Sequence, residues 1–159
     1  MKEEKVIIKF VKTHPDAKLP SKAFPTDNCF DLFCCEETVI PATKVIDGKF
    51  VLGFGVVPIG LNVASISKNH GFVTKNKSGL SFKHKLLRVA GEIDQDYKGS
   101  LDIGLINLSD KDYKFEVGDK VTQIKIEKVI DTEVMFADKI EISEDNTRMS
   151  GGFGSSGKK

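Results

Sequence analysis

Apolar residues recur at every second position over several short stretches of the chain, and a period of two predicts β-strands. In Leu101-Asp102-Ile103-Gly104-Leu105 the apolar side chains share one face, and in Thr122-Gln123-Ile124-Lys125-Ile126-Glu127 polar and apolar sides exchange at each step. The predicted strands are Val6 to Val11, Asp31 to Cys35, Lys49 to Val57, Leu61 to Ser67, Leu101 to Leu108, Val121 to Val129 and Glu133 to Ile142. They are short, rich in Val, Ile and Phe, and separated by Gly, Pro, Asn and Asp, which is the spacing of an all-β sandwich or barrel. Ser78 to Leu87 alone carries a helical signal, with Phe82 and Leu86 four apart and Ser78 placed to cap. A loop with one helical turn reads equally well there, because Gly79 costs about 1 kcal/mol relative to alanine inside a helix.

The length, 159 residues, suits one domain over 1–147 followed by a distinct tail at 148–159. From Arg148 the tail holds four glycines and three serines with no β-branched residue, so it has nothing with which to cover a core. Such a composition is either a flexible terminus or a loop that wraps a phosphate in backbone N–H groups and lays the Phe153 ring on a base. Charge narrows the choice of partner. With 24 Lys plus Arg against 23 Asp plus Glu, the formal charge is +1, which leaves no basic excess for gripping duplex nucleic acid. Apolar runs such as Phe50 to Ile59 are broken by glycine and proline well short of the roughly 20 residues of a membrane span. No signal-peptide pattern follows Met1, so the expected location is cytoplasmic, or the cytoplasm or nucleus of a host cell if the source is viral. Cys29, Cys34 and Cys35 read as reduced thiols, and the scattered His14, His70 and His84 have no metal-ligand spacing.

Five segments carry candidate chemistry. Phe30-Asp31-Leu32 sets an acid between apolar residues. Lys77-Ser78-Gly79-Leu80 puts a cation and a hydroxyl before a helical start. Gly91-Glu92-Ile93-Asp94-Gln95-Asp96-Tyr97-Lys98-Gly99 packs acids and an aromatic ring between glycines, either as a charged hairpin tip or as a site where one carboxylate orients water. Gly118-Asp119-Lys120-Val121-Thr122-Gln123 turns into a strand carrying an amide. The fifth is the glycine-rich tail.

In this order and spacing the five resemble the motifs of the trimeric dUTPase family, over nearly the whole chain from His14-Pro15-Asp16-Ala17-Lys18-Leu19-Pro20 onward. The most specific are Ile93-Asp94-Gln95-Asp96-Tyr97-Lys98-Gly99 and Gly151-Gly152-Phe153-Gly154-Ser155-Ser156-Gly157. The resemblance implies a β jelly-roll protomer, a homotrimer with sites at subunit junctions, and Mg²⁺-dependent hydrolysis of dUTP to dUMP and pyrophosphate. It also implies roles. Asp94 would deprotonate the water attacking the α-phosphorus, and Tyr97 would lie under the deoxyribose. Gly91 and Ile93 belong to the hairpin whose backbone would read the uracil edge. Lys77, Ser78, Gly79 and Gln123 would contact phosphates, and Asp31 would reach Mg²⁺ through water while the triphosphate holds the ion. Arg148, Gly154, Ser155 and Ser156 would close on the γ-phosphate, and Phe153 would stack on uracil.

Four departures stand out. The family usually has arginine where this chain has Lys77 and Lys120, Ala-Gly-Tyr where it has Asn28-Cys29-Phe30, and an aliphatic residue at Glu92. Lysine keeps the charge but loses the bidentate fork. Two other readings remain at this level. One is a dCTP deaminase, against which Asp94-Gln95-Asp96-Tyr97 argues. The other is a nucleotide-binding module that docks a regulatory protein partner, suggested by the lysine-rich stretch Lys68 to Lys77.

Overall fold

The computed structural model describes residues 5–140. Its strands are β1 (Ile8–Lys12), β2 (Phe30–Phe33), β3 (Thr38–Ile40), β4 (Lys44–Ile46), β5 (Lys49–Val51), β6 (Gly53–Ile66), β7 (His70–Lys75), β8 (Leu86–Arg88), β9 (Glu92–Ile93), β10 (Ser100–Asn107), β11 (Tyr113–Phe115) and β12 (Lys120–Lys128). One helix, α1 (Ser78–His84), interrupts them. Two four-stranded antiparallel sheets, β1-β6-β10-β8 and β2-β12-β7-β9, form the body, with the small ladders β3-β11 and β4-β5 beside them.

The core lies where the apolar faces meet. Leu101, Ile103 and Leu105 of β10 are buried while Asp102 between them is exposed, as the period of two requires. Val57, Ile59, Leu61 and Val63 of β6 join Leu32, Phe72, Val121 and Ile124 from the other sheet in one cluster. Burying side chains of this size contributes about 1.5–3 kcal/mol each, so the two sheets hold each other in register. Asn107 is also fully buried, and its amide is satisfied by donating to the Ile40 and Lys111 carbonyls and accepting from Ser109.

The strand expectations need three corrections. The predicted break between Lys49 to Val57 and Leu61 to Ser67 is absent, because β6 runs straight through Pro58 and Gly60. Pro58 sits at a register shift against β10, and Gly60 adopts φ +69°. Upstream, Lys49 to Val57 is itself divided: Lys49–Val51 pairs back on Lys44–Ile46 through a turn whose Asp47 and Gly48 both have positive φ, the Asp-Gly signature of a tight hairpin. Glu133 to Ile142 is not a strand over its described part. Residues 133–140 pair with none of the described residues and Val134, Met135, Phe136 and Ile140 are exposed, since an alternating pattern forms a strand only when a sheet edge receives it.

The helical reading of Ser78 to Leu87 holds for its first seven residues. Lys77, not Ser78, occupies the N-cap, with no side-chain capping bond. Lys85 turns left-handed at φ 58°, which ends the helix and lets Leu86 enter β8 instead. β7 was missed altogether because it is buried almost throughout and so does not alternate.

Candidate functional site

Gly91, Ile93 and Tyr97 come together around one cavity. β9 pairs with β7, Ile93 opposite Phe72, and the Thr74 N–H donates to the Gly91 carbonyl at 2.8 Å. Ala90 at φ 61° and Gly91 at φ 128° bend the chain from β8 into β9, a geometry that at Gly91 only glycine takes without strain. The Arg88 guanidinium donates to the Ala90 carbonyl and holds this bend. A tight turn follows, closed by the Tyr97 N–H donating to the Asp94 carbonyl at 3.1 Å. The Tyr97 hydroxyl then donates to the Ser100 carbonyl at 2.7 Å, which fixes the ring beside the turn, and the segment is not the hairpin the sequence suggested, because β9 pairs with β7 while β10 joins the other sheet. The space enclosed, about 230 Å³, is lined by Thr74, Gly91, Ile93, Tyr97, Leu101 and Ile103 among others. It is small beside the roughly 300–1,000 Å³ of pockets for larger ligands and suits a single base.

Asp94 follows Ile93 directly and is exposed, so its carboxylate is free to meet a ligand from solvent. Its turn is anchored by a residue that sequence reading passed over. Gln95 accepts the Asn69 N–H on its side-chain oxygen at 2.6 Å, tying the turn to the β6–β7 connection. Only the β7–β9 pairing brings Asn69 to this place, so no local pattern could have disclosed it.

A second cluster gathers the cations. Asp31 stands opposite Gln123 of β12, and Gln123 stands opposite Lys75 at the end of β7, so three strands deliver their residues to one row. The Asp31 side chain is 4% exposed. Its Oδ2 lies 2.6 Å from Lys120 Nζ, while its Oδ1 lies 3.3 Å from Lys77 Nζ and accepts from Gln123 Nε2 at 3.1 Å. Burial pushes the Asp31 carboxyl up, but hydrogen bonds from Lys120 and Gln123 and the charge of Lys77 outweigh it and hold the group below its ordinary value. Ser78 and Gly79 begin α1 just beyond Lys77, both exposed, and a Cβ built on Gly79 would meet nothing within 4 Å. Empty space there leaves the backbone open to close approach by a ligand.

No hydrogen bond or ion pair among the described residues joins Asp94 or Tyr97 to Asp31, Lys77 or Gln123. The predicted site residues thus form two groups, a base-sized cavity on the β9 side of β7 and a cationic cluster on the β12 side. Arg148, Phe153, Gly154, Ser155 and Ser156 lie outside the described residues. A groove of about 430 Å³ between β1 and the β2–β12 edge, lined by Ile8, Phe10, Phe30, Ile124 and Ile126, contains none of the predicted residues, and its apolar walls do not suit a triphosphate.

Magnesium finds no direct cage here. The described residues contain no group of three or more His, Cys, Asp and Glu side chains able to hold an ion, and both Asp31 oxygens are already engaged by ammonium and amide donors. Mg²⁺ prefers a near-ideal octahedron of oxygens, and the chain by itself does not supply one at Asp31.

Fold and site together define an all-β protein with a glycine-bent cavity of about 230 Å³ and, separate from it, a cationic cluster of Lys77, Lys120 and Gln123 around Asp31. The dUTPase family model matches residues 15–157. The chain belongs to the dUTPase family. It is 34% identical over 152 residues to the deoxyuridine 5′-triphosphate nucleotidohydrolase of Helicobacter pylori, covering 94% of this chain and 96% of that one. Against the enzyme of the same description from Kluyveromyces lactis it is 37% identical over 144 residues, covering 90% and 88%. Among solved structures, a mutant dUTPase of Staphylococcus bacteriophage 80alpha with dUpNHpp superposes with a TM-score of 0.78 at 21% identity, covering 95% of this chain and 98% of that one. A mutant dUTPase of phage phi11 of S. aureus, described with a structural Mg(II) ion, gives 0.70 at 22% identity, covering 86% and 99%. These superpositions establish the jelly-roll fold of the family for this chain.

Proposed function

We infer that this chain is a dUTP diphosphatase, which cleaves dUTP to dUMP and pyrophosphate by attack of water on the α-phosphorus. The observation that carries the reading is the base-sized cavity of Gly91, Ile93 and Tyr97, with the exposed Asp94 carboxylate next in chain to Ile93. A pyrimidine placed there meets backbone groups of the β8–β9 bend, and Tyr97 lies where a deoxyribose would rest on its ring. Asp94 takes the proton from the attacking water, a task worth about 10²–10⁴-fold for a well-placed base. The negative charge gathering on the phosphates is met by Lys77, Gln123 and the N–H groups at Ser78 and Gly79, and preformed donors of this kind stabilise such charge without reorganising. Mg²⁺ belongs to the family's chemistry, and when bound it would neutralise triphosphate charge, held by the phosphate oxygens and water.

The assembly reading is a homotrimer with sites completed between copies. Two observations support it. The residues for base and phosphate fall into separate groups within one protomer, and the side chains of Val134, Met135 and Phe136 stand exposed among the described residues. Arg148 and the residues of the glycine-rich tail would close over the bound triphosphate, with Phe153 on the base. Ordering that segment is an entropic cost which the phosphate contacts offset. The free thiols Cys29, Cys34 and Cys35 suit a reducing intracellular compartment.

The test is release of pyrophosphate from dUTP, with dCTP and dTTP as controls. Asp94→Asn should lower kcat by at least about 10²-fold while the affinity for dUTP stays within about tenfold, since it removes the base and leaves the phosphate donors. Ammonia released from dCTP, or dUTP bound tightly and left intact by the unaltered protein, would overturn the reading.

A further inference from the structure

We infer that Lys120 and Lys77 form a single triphosphate clamp built on Asp31, so that Asp31 acts on the substrate by positioning two cations and not as a magnesium ligand. The inference rests on the dUTP reading above and adds a cation and a positioning residue to it.

Lys77 and Lys120 are the two lysines that stand where the family usually carries arginine. They are far apart in sequence, one at the N-cap of α1 and the other at the start of β12, yet both reach the same carboxylate. An arginine fork tends to claim both oxygens of a carboxylate, whereas a lysine is a point donor that takes one. One Asp can therefore seat two lysines, Lys120 on Oδ2 and Lys77 on Oδ1. The two departures from the motif are a matched pair.

Charge and exposure then say what the cluster awaits. Two ammonium groups against one carboxylate leave a surplus of one positive charge. Asp31 is 4% exposed, whereas Lys77 is 27% and Lys120 40% exposed, so the anion is inside and the cations face out. Each ammonium spends one N–H on Asp31 and retains two. Gln123, which also donates to Asp31 Oδ1, keeps a second amide hydrogen beside them. Unused donors and net positive charge at the mouth of a buried anchor fit a polyphosphate. A divalent cation brought to Asp31 would have to displace the lysines that cover it.

The sign of one substitution separates positioning from simple charge. Asp31→Asn raises the cluster's net charge by one, so unspecific attraction predicts tighter binding of a triphosphate. Loss of the anchor predicts weaker binding. The experiment measures affinity of the full-length protein for the imido-bridged analogue dUpNHpp and for dUMP, each with EDTA and with Mg²⁺. Lys120→Gln should weaken dUpNHpp binding about ten- to hundredfold even in EDTA, the loss of one charge-assisted hydrogen bond, and leave dUMP binding within twofold, about the scatter of such measurements. Asp31→Asn should weaken the analogue likewise, yet add nothing in a Lys77→Gln/Lys120→Gln background, because its effect passes through those lysines. Lys125→Gln, which removes an exposed charge from the same strand, serves as the control and should change nothing. The inference is overturned if Lys120→Gln binds dUpNHpp like the unaltered protein, if Asp31→Asn binds it as well or better, or if Asp31→Asn costs the same with and without the lysines. Should Asp31→Asn fail to fold, the Lys120→Gln comparison decides alone. Absence of dUTP cleavage by the unaltered protein would sink the underlying reading instead, and that is scored separately.

Discussion

Gly79 and Gly91 show how differently two glycines of the proposed site can matter. At Gly91 an added Cβ would fall 2.1 Å from Thr74 Oγ1, and φ 128° disfavours any side chain, so Gly91→Ala should both destabilise the protein and abolish dUTP binding. Gly79 has open space around it and ordinary helical backbone. Gly79→Ala should therefore stabilise the fold, by up to about 1 kcal/mol, while lowering kcat/KM, because the methyl group occupies ground the phosphates need. A melting temperature that rises with kcat/KM unchanged would remove Gly79 from the phosphate site. The buried thiols predict a different response. Burial pushes Cys34 and Cys35 up. The fold holds their neutral form, so the stability this contributes is complete below the ordinary thiol value of about 8.5 and is lost as pH rises through the raised one. Denaturation midpoints should fall above about pH 9, and less steeply once Cys34 and Cys35 are replaced by alanine. Alkylation of the folded protein should reach Cys29 first, since it alone of the three is partly exposed.

At the level of elements, legibility followed amphipathicity. β10 and β12 have one face on the core and one toward solvent, so alternation revealed them. β7 lies in the middle of its sheet between β12 and β9, covered on both faces, and a strand of that kind has no polar side to mark it. β8 and β9 are too short to show a period. Pro58 and Gly60, read as a boundary, are accommodated within β6 because a register shift and a left-handed residue absorb them. The segment after β12 failed for the opposite reason, since its pattern is strand-like and no described strand of the protomer pairs with it. Amide exchange over residues 133–140 is expected to be slow in the assembled protein and fast in any dissociated protomer. Equal protection in both states would mean that no other copy covers it.

For the whole molecule the expectation is set by the division of the site. If each protomer carries the base cavity and the cationic cluster as separate groups, activity depends on assembly, and specific activity should fall as protein is diluted below the dissociation range while mass falls from trimer to monomer. Mixed assemblies test this further. Asp94→Asn chains combined with Lys77→Gln/Lys120→Gln chains should regain part of the lost turnover, because some junctions then pair an intact cavity with an intact clamp. Removing residues 148–159 should cripple turnover and leave the mass of the assembly otherwise intact.

The amino-acid sequence alone determined the strand-rich class and the family, and it supplied the candidate site residues, because those follow from local period and from motifs whose spacing is contiguous. Asp94, Tyr97 and Gly91 sit within seven positions of one another and could be read in place. Which cations share a carboxylate, and what anchors the catalytic turn, was decided only in three dimensions. Asp31 meets Lys77 and Lys120, and Gln95 meets Asn69, because sheet pairing sets side by side strands that are distant along the chain, and no local pattern records which distant donor will face a given acceptor.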